Sequence, residues 1–280
     1  MKVGIIGLGF VGSALLSGLK DNVEVMKVDP KIGTSTNDLL KFNPDIIFIS
    51  VPTPMSDDGS QDISILNQVL NEIKSLKLKS LVALKSTLLP SSISSIEKKI
   101  ERFVYNPEFL REKTASEDFI NSSFIIFGGN KENSSILSDF YTNYTLCKCS
   151  DHIFINAVEA SLVKYAINSF LATKVVFFNQ LFDIFNKLDT PGNWKQVINA
   201  IGKDNRVGAS HMEVPGHDGR LGFGGACFPK DTNALKEFSK SLGVEFSLLE
   251  NVIMINNRIR MSYNDQTERE KEQNIKFKPN

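Results

Sequence analysis

The chain has 280 residues, enough for two small domains or one large domain with a packed core. Hydrophobic residues make up 41% and charged residues 23%, which are ordinary values for a globular protein that folds in water. The 32 basic residues equal the 32 acidic residues in number, so the chain lacks the basic excess of proteins that bind nucleic acids or anionic membranes. We therefore expect neither kind of partner.

The three cysteines are Cys147, Cys149 and Cys227. An odd and small number argues against a disulfide framework and indicates a reducing compartment. The first residues, MKVGIIGLGF, form a short apolar run that breaks at glycines, which favours a core strand over a secretory signal. No apolar run approaches the length of a membrane span. These features predict a cytoplasmic protein.

Strand-like and helix-like segments alternate through the first half of the chain. The nearly continuous apolar run at 45–51, DIIFISV, is typical of a strand buried on both faces of a parallel sheet. The predicted strands are Lys2–Ile6, Glu24–Val28, Asp45–Val51, Ser80–Lys85, Phe103–Tyr105 and Phe124–Gly128. The predicted helices are Val11–Leu19, Ile63–Leu76 and Ser91–Ile100. This alternation predicts an α/β fold with a Rossmann-like, doubly wound parallel sheet.

The pattern becomes helical after about Asp151. Residues 156–188 place apolar side chains at helical spacing, and a break follows at 189–193. Further helices are predicted at Trp194–Ile201, Asp231–Gly243 and Ser247–Arg260, with a glycine-rich loop at Arg206–Gly225. We predict an N-terminal α/β domain over 1–151 and a mostly α-helical central domain over 152–261. The polar tail over 262–280 is predicted to be disordered or poorly packed.

A glycine pattern follows the first strand. Gly7, Gly9 and Gly12 fit G-x-G-x-x-G between a strand and a helix, and Asp29 ends the second strand. Gly7 would allow the tight turn, Gly9 the close approach of a pyrophosphate, and Gly12 the packing of the helix on the sheet. The helix N-terminus would attract the phosphates, while Asp29 would bind the adenosine ribose and favour NAD over NADP. The alternatives are a plain glycine turn and an FAD site.

A second glycine cluster, GFGGACFPKD at 222–231, precedes another predicted helix. Its glycines let the backbone approach a ligand closely. Cys227 lies near the helix N-terminus and Lys230, which predicts a lowered thiol pKa and a nucleophilic thiolate. Asp231 is either the helix N-cap, a ligand of a substrate hydroxyl or a proton-transfer group. The alternative is a buried structural cysteine in a helix-entry turn.

Cys147 and Cys149 with His152 come nearest to a metal motif. A structural zinc usually needs four ligands, and no second Cys or His pair follows at suitable spacing. His211 and His217 lie in the glycine-rich loop without metal-motif spacing. We therefore predict no metal site.

Six motifs occur in order along the chain. They are GLGFVG at Gly7–Gly12, VPTP at Val51–Pro54 with Asp58, Gly59 and Asp62 beyond it, KST at Lys85–Thr87, NPEFLRE at Asn106–Glu112 with Ala115 and Asp118 beyond it, KYAINSFLA at Lys164–Ala172, and GFGGACFPKD at Gly222–Asp231. In this order they resemble the UDP-glucose/GDP-mannose dehydrogenase family. Six motifs in the same order are specific for the family, whereas any one of them alone is not.

The resemblance implies a four-electron oxidation that consumes two NAD⁺ and converts the C6 alcohol of a nucleotide sugar, UDP-glucose, to the carboxylate of UDP-glucuronate. Cys227 would attack the C6 aldehyde as a thiolate, the thiohemiacetal would lose hydride to give a thioester, and water would hydrolyse it. Lys164 would stabilise the developing oxyanion, helped by Asn168 one helical turn further on. Asp231 and Thr87 would position a water, and Glu112 would be the general base.

The resemblance also implies the residues of two binding sites. The implied NAD-binding residues are Gly7, Gly9, Phe10, Val11, Gly12, Asp29, Pro52, Thr53, Thr87, Glu112 and Lys230. The implied substrate-binding residues are Glu108, Phe109, Leu110, Arg111, Lys164, Asn168, Phe223, Gly224 and Gly225. Considered singly, Lys164 and Asn168 could be exposed helix positions, and Thr87 could be a helix cap. These assignments therefore rest on the order of the motifs.

The chain departs from the family pattern in three places, one of which is the short connection after the second strand, DPKIGTSTNDLL. Family members carry a second Rossmann-like domain after the long central helix, and that domain supplies part of the UDP site. We expect that domain to be missing here and substrate affinity to be reduced. Ser161 stands where the family often has Glu. The central helices resemble the dimer-forming region of the family, which implies a homodimer.

Three hypotheses remain open from the sequence. The first is an NAD-dependent nucleotide-sugar 6-dehydrogenase. The second is a short two-domain hydroxyacid dehydrogenase, which shares the Rossmann start and a Lys–Asn pair on a central helix but not the Cys227 loop. The third is a non-catalytic module that binds NAD and forms dimers.

Overall fold

The computed structural model describes residues 1–189 and 191–278. Thr190, inside the predicted helix break, and the last two residues of the predicted tail lie outside the described residues. The chain divides into two compact units. Unit 1 comprises Met1–Thr53 and Asp62–Lys164, and unit 2 comprises Pro54–Gln61 and the chain from Tyr165 onward.

Unit 1 contains a seven-stranded sheet. Its strands are β1 (Lys2–Ile6), β2 (Glu24–Val28), β3 (Ile46–Ile49), β4 (Leu81–Leu84), β5 (Phe103–Tyr105), β6 (Ile125–Gly128) and β7 (His152–Ile155), in the order β2-β1-β3-β4-β5-β6-β7. The first five strands pair in parallel, β6 runs antiparallel to β5, and β7 runs parallel to β6. The predicted Rossmann-like α/β fold is confirmed, with a sheet that is mostly and not wholly parallel. An apolar run indicates that a strand is buried but not whether it runs parallel or antiparallel to its neighbour. The sequence of β6 therefore does not predict its antiparallel pairing.

Helices cover both faces of this sheet. They are α1 (Phe10–Ser17), α2 (Asp38–Phe42), α3 (Ser64–Leu76), α4 (Pro90–Glu97), α5 (Ala115–Ile120) and α6 (Lys131–Tyr144). Successive side chains of a strand point to opposite faces. Accordingly Ile47 and Ile49 of β3 join one buried cluster, while Ile46 and Phe48 join another. Burial on both faces explains why the β3 sequence is apolar without alternation.

Four elements of unit 1 were not predicted from the sequence: the short helices α2 and α5, helix α6 and strand β7. The buried apolar residues of α6 are Leu137, Phe140 and Tyr141, so its apolar face is confined to its second half, after the polar start KENSS. Strand β7 is a four-residue edge strand. Because β7 pairs with β6, residues 152–155 belong to the sheet, and unit 1 ends at Lys164 and not at the predicted residue 151.

The remaining helices are α7 (Ala157–Phe185), α8 (Trp194–Ile201), α9 (Phe228–Ser241), α10 (Ser247–Arg260) and α11 (Glu268–Glu272). The predicted helices at α8 and α10 have the observed bounds. Helix α9 begins three residues before the predicted Asp231, with Pro229 in its first turn. Cys227 is therefore the N-cap residue of α9 and not part of the preceding loop alone.

Helix α7 is long and apolar enough to cross a membrane by length and composition, so the sequence expectation that no segment reaches that length is wrong. Half of its most apolar stretch is buried within the protein. The buried polar side chains of α7 include Lys164, Asn168, Lys174 and Asn179. The core helices of proteins that fold in water pass the same test of length and composition.

The predicted tail is ordered where the structure describes it, so the expectation of a disordered or poorly packed segment is wrong for residues 262–278. Thr267 and Glu270 form a capping box that begins α11. Glu270 and Ile275 are fully buried, and the Ile275 N–H donates to the Glu270 carbonyl at 2.8 Å. The polar composition of this segment was misleading because two buried side chains, Ile275 and Glu270, anchor it to the rest of the protein.

This packing predicts that Ile275→Ala lowers the free energy of unfolding by about 2–5 kcal/mol, because the side chain is 1% exposed and its removal leaves a cavity. Urea denaturation followed by circular dichroism measures the change. Ile32→Ala is the matched control, since Ile32 is 53% exposed. Equal effects of the two substitutions would show that the tail does not pack in solution.

Candidate active site

The glycine turn joins β1 to α1 in unit 1. Gly7 has φ +86°, and a Cβ there would lie 2.8 Å from the Ser50 carbonyl oxygen. A Cβ on Gly12 would lie 2.0 Å from the Gly7 carbonyl oxygen. Gly9 is the N-cap of α1, and a Cβ there would meet nothing within 4 Å. Local packing therefore requires Gly7 and Gly12, whereas Gly9 leaves open space at the helix N-terminus.

Asp29 follows β2 and holds the glycine turn. Its Oδ2 accepts from the Leu8 N–H at 2.8 Å, and its Oδ1 accepts from the Lys31 N–H at 2.9 Å. A carboxylate offers about four lone-pair sites, so both oxygens keep capacity for ribose hydroxyls. Phe10 and Val11, the first residues of α1, are half-buried beside this turn.

The segments after β3 and β4 meet within unit 1. The Thr53 Oγ1 donates to the Thr87 carbonyl at 3.1 Å, and the Ser86 Oγ donates to the Val51 carbonyl at 2.7 Å. Thr53 and Thr87 are buried, whereas Pro52 is exposed. Helix α4 has Leu89 as its N-cap, so Thr87 is not the helix cap that was the alternative.

Lys85 anchors the segment that holds Thr87. Its Nζ is buried and donates to Asn106 Oδ1 at 3.0 Å, to the Asn106 carbonyl at 3.2 Å and to the Tyr141 hydroxyl at 3.1 Å. Burial lowers the pKa of Lys85 to about 8, against the attraction of Glu108, which raises it. Burial also raises the pKa of the Tyr141 hydroxyl. This network joins the segment after β4 to the Asn106–Glu112 motif.

Lys164 and Glu108 lie together in unit 1. The Lys164 Nζ donates to the Glu108 carbonyl at 2.6 Å and lies 3.4 Å from Glu108 Oε1. The same ammonium lies 5.1 Å from the centre of the Phe109 ring. Glu108 Oε2 accepts from the Leu110 N–H at 2.6 Å. Lys164 is therefore not an exposed helix position, and a buried ammonium can stabilise a developing negative charge.

Arg111 and Glu112 are exposed, unlike the other residues of their motif. The Arg111 guanidinium donates two hydrogen bonds to Asp118, Nε to Oδ2 at 3.0 Å and Nη2 to Oδ1 at 2.7 Å, and the Arg111 N–H donates a third to Oδ2 at 2.8 Å. This pairing raises the pKa of Arg111 and holds the pKa of Asp118 below its usual value. The guanidinium is 71% exposed, so the pair contributes little to stability.

Unit 2 places four of the predicted residues around the start of α9. The Cys227 carbonyl accepts from the Asp231 N–H at 2.9 Å, and Cys227 itself is half-buried. Asp231 is buried; its Oδ2 accepts from Asn168 Nδ2 at 2.6 Å, and its Oδ1 lies 2.5 Å from Lys230 Nζ. Asn168 is thus not an exposed helix position either. The carboxylate fixes the Asn168 amide and the Lys230 ammonium beside the first turn of the helix.

The glycine run before Cys227 is held by side chains that the sequence analysis did not assign to the site. Asn256 binds Phe223 in both directions, Oδ1 with the Phe223 N–H at 2.7 Å and Nδ2 with its carbonyl at 2.9 Å. A Cβ on Gly224 would lie 2.1 Å from Arg260 Nη2. Gly225 has φ +75° and open space around its Cβ position. Of the three predicted sugar-lining residues, Gly225 therefore leaves open space at its Cβ position, whereas a side chain on Gly224 would clash with the protein.

A pattern in α10 indicates these missed residues. Leu249, Val252 and Ile253 are its buried apolar residues, and Asn256 and Arg260 continue the same helical spacing. A polar residue on the apolar stripe of a helix needs a buried partner. That signal predicts two buried polar contacts from α10, although it does not identify their partners.

No three His, Cys, Asp or Glu side chains lie together as a metal site requires within residues 1–189 and 191–278. In that range the cysteines form no disulfide. His152 Nδ1 lies 2.7 Å from Ser138 Oγ, and Cys149 Sγ lies 3.5 Å from the Asp151 carbonyl. His152 and Cys149 of the candidate metal motif therefore bind other groups of the protein.

The Lys85 pKa predicts a pH dependence of stability. The pKa is about 8 in the folded protein against the ordinary lysine value of 10.5, so the unfolded chain binds more protons between these values and stability rises across this window. The unfolding free energy of the wild type relative to Lys85→Met should rise by up to about 3 kcal/mol from pH 8 to 10.5. Urea denaturation at several pH values measures it, with the exposed Lys41→Met as control. A flat difference would mean that Lys85 keeps an ordinary pKa.

Comparison with known proteins gives consistent matches over most of the chain. Residues 33–145 match the NAD binding domain of the UDP-glucose/GDP-mannose dehydrogenase family, and residues 158–258 match its central domain. A UDP-glucose 6-dehydrogenase of Rickettsia prowazekii is 31% identical over 94% of this chain and 68% of its own length. A UDP-glucose 6-dehydrogenase of Bacillus subtilis is 34% identical over 87% of this chain and 53% of its own length.

The structure of a UDP-glucose dehydrogenase from the archaeon Pyrobaculum islandicum is similar, with a TM-score of 0.75 and 28% identity, over 92% of this chain and 68% of that one. The chain thus spans from about half to about two thirds of the length of these relatives. The buried Lys164 and the Cys227 loop lie inside the region that matches the central domain. The chain belongs to the UDP-glucose/GDP-mannose dehydrogenase family, whose NAD-binding and central domains it carries.

Proposed function

We propose that this protein is an NAD-dependent dehydrogenase that oxidises the C6 alcohol of a nucleotide sugar, UDP-glucose, to the carboxylate of UDP-glucuronate. The observation that carries this proposal is Cys227 at the N-cap of α9, half-buried and followed by a buried Lys230–Asp231 pair. A cysteine at a helix N-terminus is a common position for nucleophilic chemistry. Relatives named UDP-glucose 6-dehydrogenase support the choice of substrate.

NAD, when bound, supplies the hydride acceptor. The residues that would hold it are the glycine turn, with the open space before Gly9 for the pyrophosphate, and Asp29 for the ribose. The negative charge of Asp29 repels a 2′-phosphate, which favours NAD over NADP. Further residues proposed for this site are Phe10, Val11, Pro52, Thr53, Thr87, Glu112 and Lys230.

The thiolate of Cys227 would add to the C6 aldehyde and form a thiohemiacetal, whose oxidation leaves a thioester on the sulfur. Water would then add to the thioester carbon, and the carboxylate product would leave with the return of the thiolate. The buried ammonium of Lys164 would stabilise the negative oxygen in both additions, and the Asn168 amide would assist. The contact of Asn168 with Asp231 supports these roles, because it fixes the amide group in one orientation.

The water would be positioned by Asp231 and Thr87, and Glu112 would accept its proton. Glu112 is exposed, so its carboxylate is accessible to a water molecule. The sugar nucleotide would contact Phe109, Leu110 and Arg111, with Glu108 nearby and Phe223, Gly224 and Gly225 along the sugar. The bond of Glu108 to Lys164 supports a role in holding that ammonium.

A turnover assay tests this function. Wild type with UDP-glucose and NAD⁺ should yield two NADH per sugar, and Cys227→Ala should reduce that rate by at least about 1,000-fold, because the covalent intermediate cannot form. Cys149→Ala is the matched control, since Cys149 is a half-buried thiol of unit 1 with no assigned role. Absorbance at the NADH band measures the rate.

The other hypotheses give different outcomes in the same assay. NADH from a small hydroxyacid, insensitive to Cys227→Ala, would identify a hydroxyacid dehydrogenase. NAD binding without turnover on any of these substrates would identify a non-catalytic module. Either result contradicts the proposed function.

We also propose a homodimer in the cytoplasm. Phe170, Phe177 and Ile184 of α7 are 66%, 59% and 59% exposed, and their spacing of seven residues places them along one face of the helix. An exposed apolar stripe of this kind is typical of an oligomer interface. The absence of a disulfide among the described cysteines agrees with a reducing compartment.

Sedimentation velocity tests the dimer. The double substitution Phe170→Glu and Phe177→Glu should yield a monomer, because it buries two charges in an apolar contact. Leu248→Glu, at an exposed apolar position of α10, should leave the dimer intact. A wild type that sediments as a monomer at micromolar concentration, or equal effects of the two changes, would rule out this interface.

A further inference from the structure

Residues 262–278, here called the C-terminal strap, contact two loops of unit 2. The Met55 N–H donates to the Gln273 carbonyl at 3.1 Å, and Asn274 Nδ2 donates to the Met55 carbonyl at 2.9 Å. Lys276 Nζ binds Asp57 Oδ1 at 2.6 Å. The strap is thereby tied to residues 54–61, and its other contact is with the glycine run before Cys227.

Glu270 makes that second contact. Its Oε1 accepts from Arg260 Nη2 at 2.7 Å and from the Gly225 N–H at 3.2 Å, and its Oε2 accepts from the Thr267 N–H at 2.8 Å. Glu270 and Arg260 are both fully or almost fully buried. One carboxylate thus links the strap, helix α10 and the backbone two residues before the cysteine.

Arg260 is held from its other side as well. Its Nη1 donates to Asp218 Oδ2 at 2.8 Å, and its guanidinium lies 5.7 Å from the Tyr263 ring and 5.4 Å from the Phe277 ring. These contacts hold the Arg260 guanidinium in one orientation. Because Glu270 Oε1 accepts from this guanidinium, it is held next to the Gly225 N–H. Gly224 has to be glycine because a Cβ would lie 2.4 Å from the same oxygen.

We propose that Glu270 is a positioning residue for Cys227. Its carboxylate holds the Gly225 N–H, so it sets the backbone path of the glycine run and the orientation of the thiol at the start of α9. Its effect on catalysis rests on the function proposed above, but its effect on the thiol does not. The physical reason is that both charges are buried. If the Glu270 carboxylate moved, the Arg260 guanidinium would lose its partner, and a buried unpaired charge is strongly unfavourable.

The reactivity of Cys227 tests this role without any substrate. The full chain is treated with limiting iodoacetamide at 20 °C, and peptide mass spectrometry gives the alkylation rate of each cysteine. Cys147 and Cys149, both in unit 1, are internal references. The variants are Glu270→Gln, which keeps the shape and removes the charge, and Glu270→Ala. Glu268→Gln is the matched control, because Glu268 lies in the same helix with its side chain 82% exposed.

In folded Glu270→Gln we expect the Cys227 rate to change by about threefold or more relative to Cys149, since small displacements at a helix N-terminus alter thiolate reactivity. If the wild type turns over UDP-glucose, kcat should fall by about tenfold or more while the KM for NAD stays the same, because misplacement of a reacting group lowers rate and not cofactor binding. Glu268→Gln should change neither.

The proposal is overturned if Cys227 alkylation in folded Glu270→Gln and Glu270→Ala matches that of the wild type. It is also overturned if Glu270→Gln does not fold at 20 °C, because Glu270 would then be a stability element only. A wild type without turnover would refute the proposed function, and the alkylation rates would still decide this inference.

Discussion

The buried ion pair between Arg260 and Glu270 is the interaction on which the cysteine loop of unit 2 depends. An isolated charge in a protein interior is strongly unfavourable. Each of these two side chains can therefore be buried only because the other lies beside it. Their contacts reach Asp218, Gly224 and Gly225, and thus connect a loop, the glycine run and the C-terminal strap. The loop that carries Cys227 buries Phe223 in an apolar cluster with Ala172, Val176 and Val252. The surrounding polar groups hold its backbone through hydrogen bonds.

Unit 1 uses a buried cation in the same way. Lys85 directly follows β4, and its Nζ donates to Asn106, which directly follows β5, and to the Tyr141 hydroxyl. The segments that bear Thr87 and Glu108 begin next to this network. Parallel strands bring their carboxyl ends to one edge of a sheet, which is where such folds place ligand-binding loops. The buried polar network keeps those loops in one conformation, so the edge is a defined surface before any ligand binds.

Much of the fold and of the candidate site could be predicted because the relevant signals are local. The glycine turn depends on residues that are neighbours in sequence, and so does the helix entry near Pro229, although α9 begins three residues before the predicted Asp231. The first strands are apolar because both faces of the sheet are covered, a pattern that is visible in β3 and β4. The reversal of β6, the edge strand β7 and the packed strap were not predicted. Strand direction and the partner of a polar segment depend on residues that lie far away in sequence.

The sequence by itself determined that the chain has a dinucleotide turn, an alternating α/β unit, a helical region and a cysteine at a helix entry, since each depends on spacing over a few residues. Only the tertiary structure decided which polar side chains are buried and what they bind. It paired Glu108 with Lys164, Asn168 with Asp231, and Arg260 with Glu270. The physical reason is that a buried charge or amide is tolerated only where a complementary group meets it, and folding brings those groups together from distant parts of the chain.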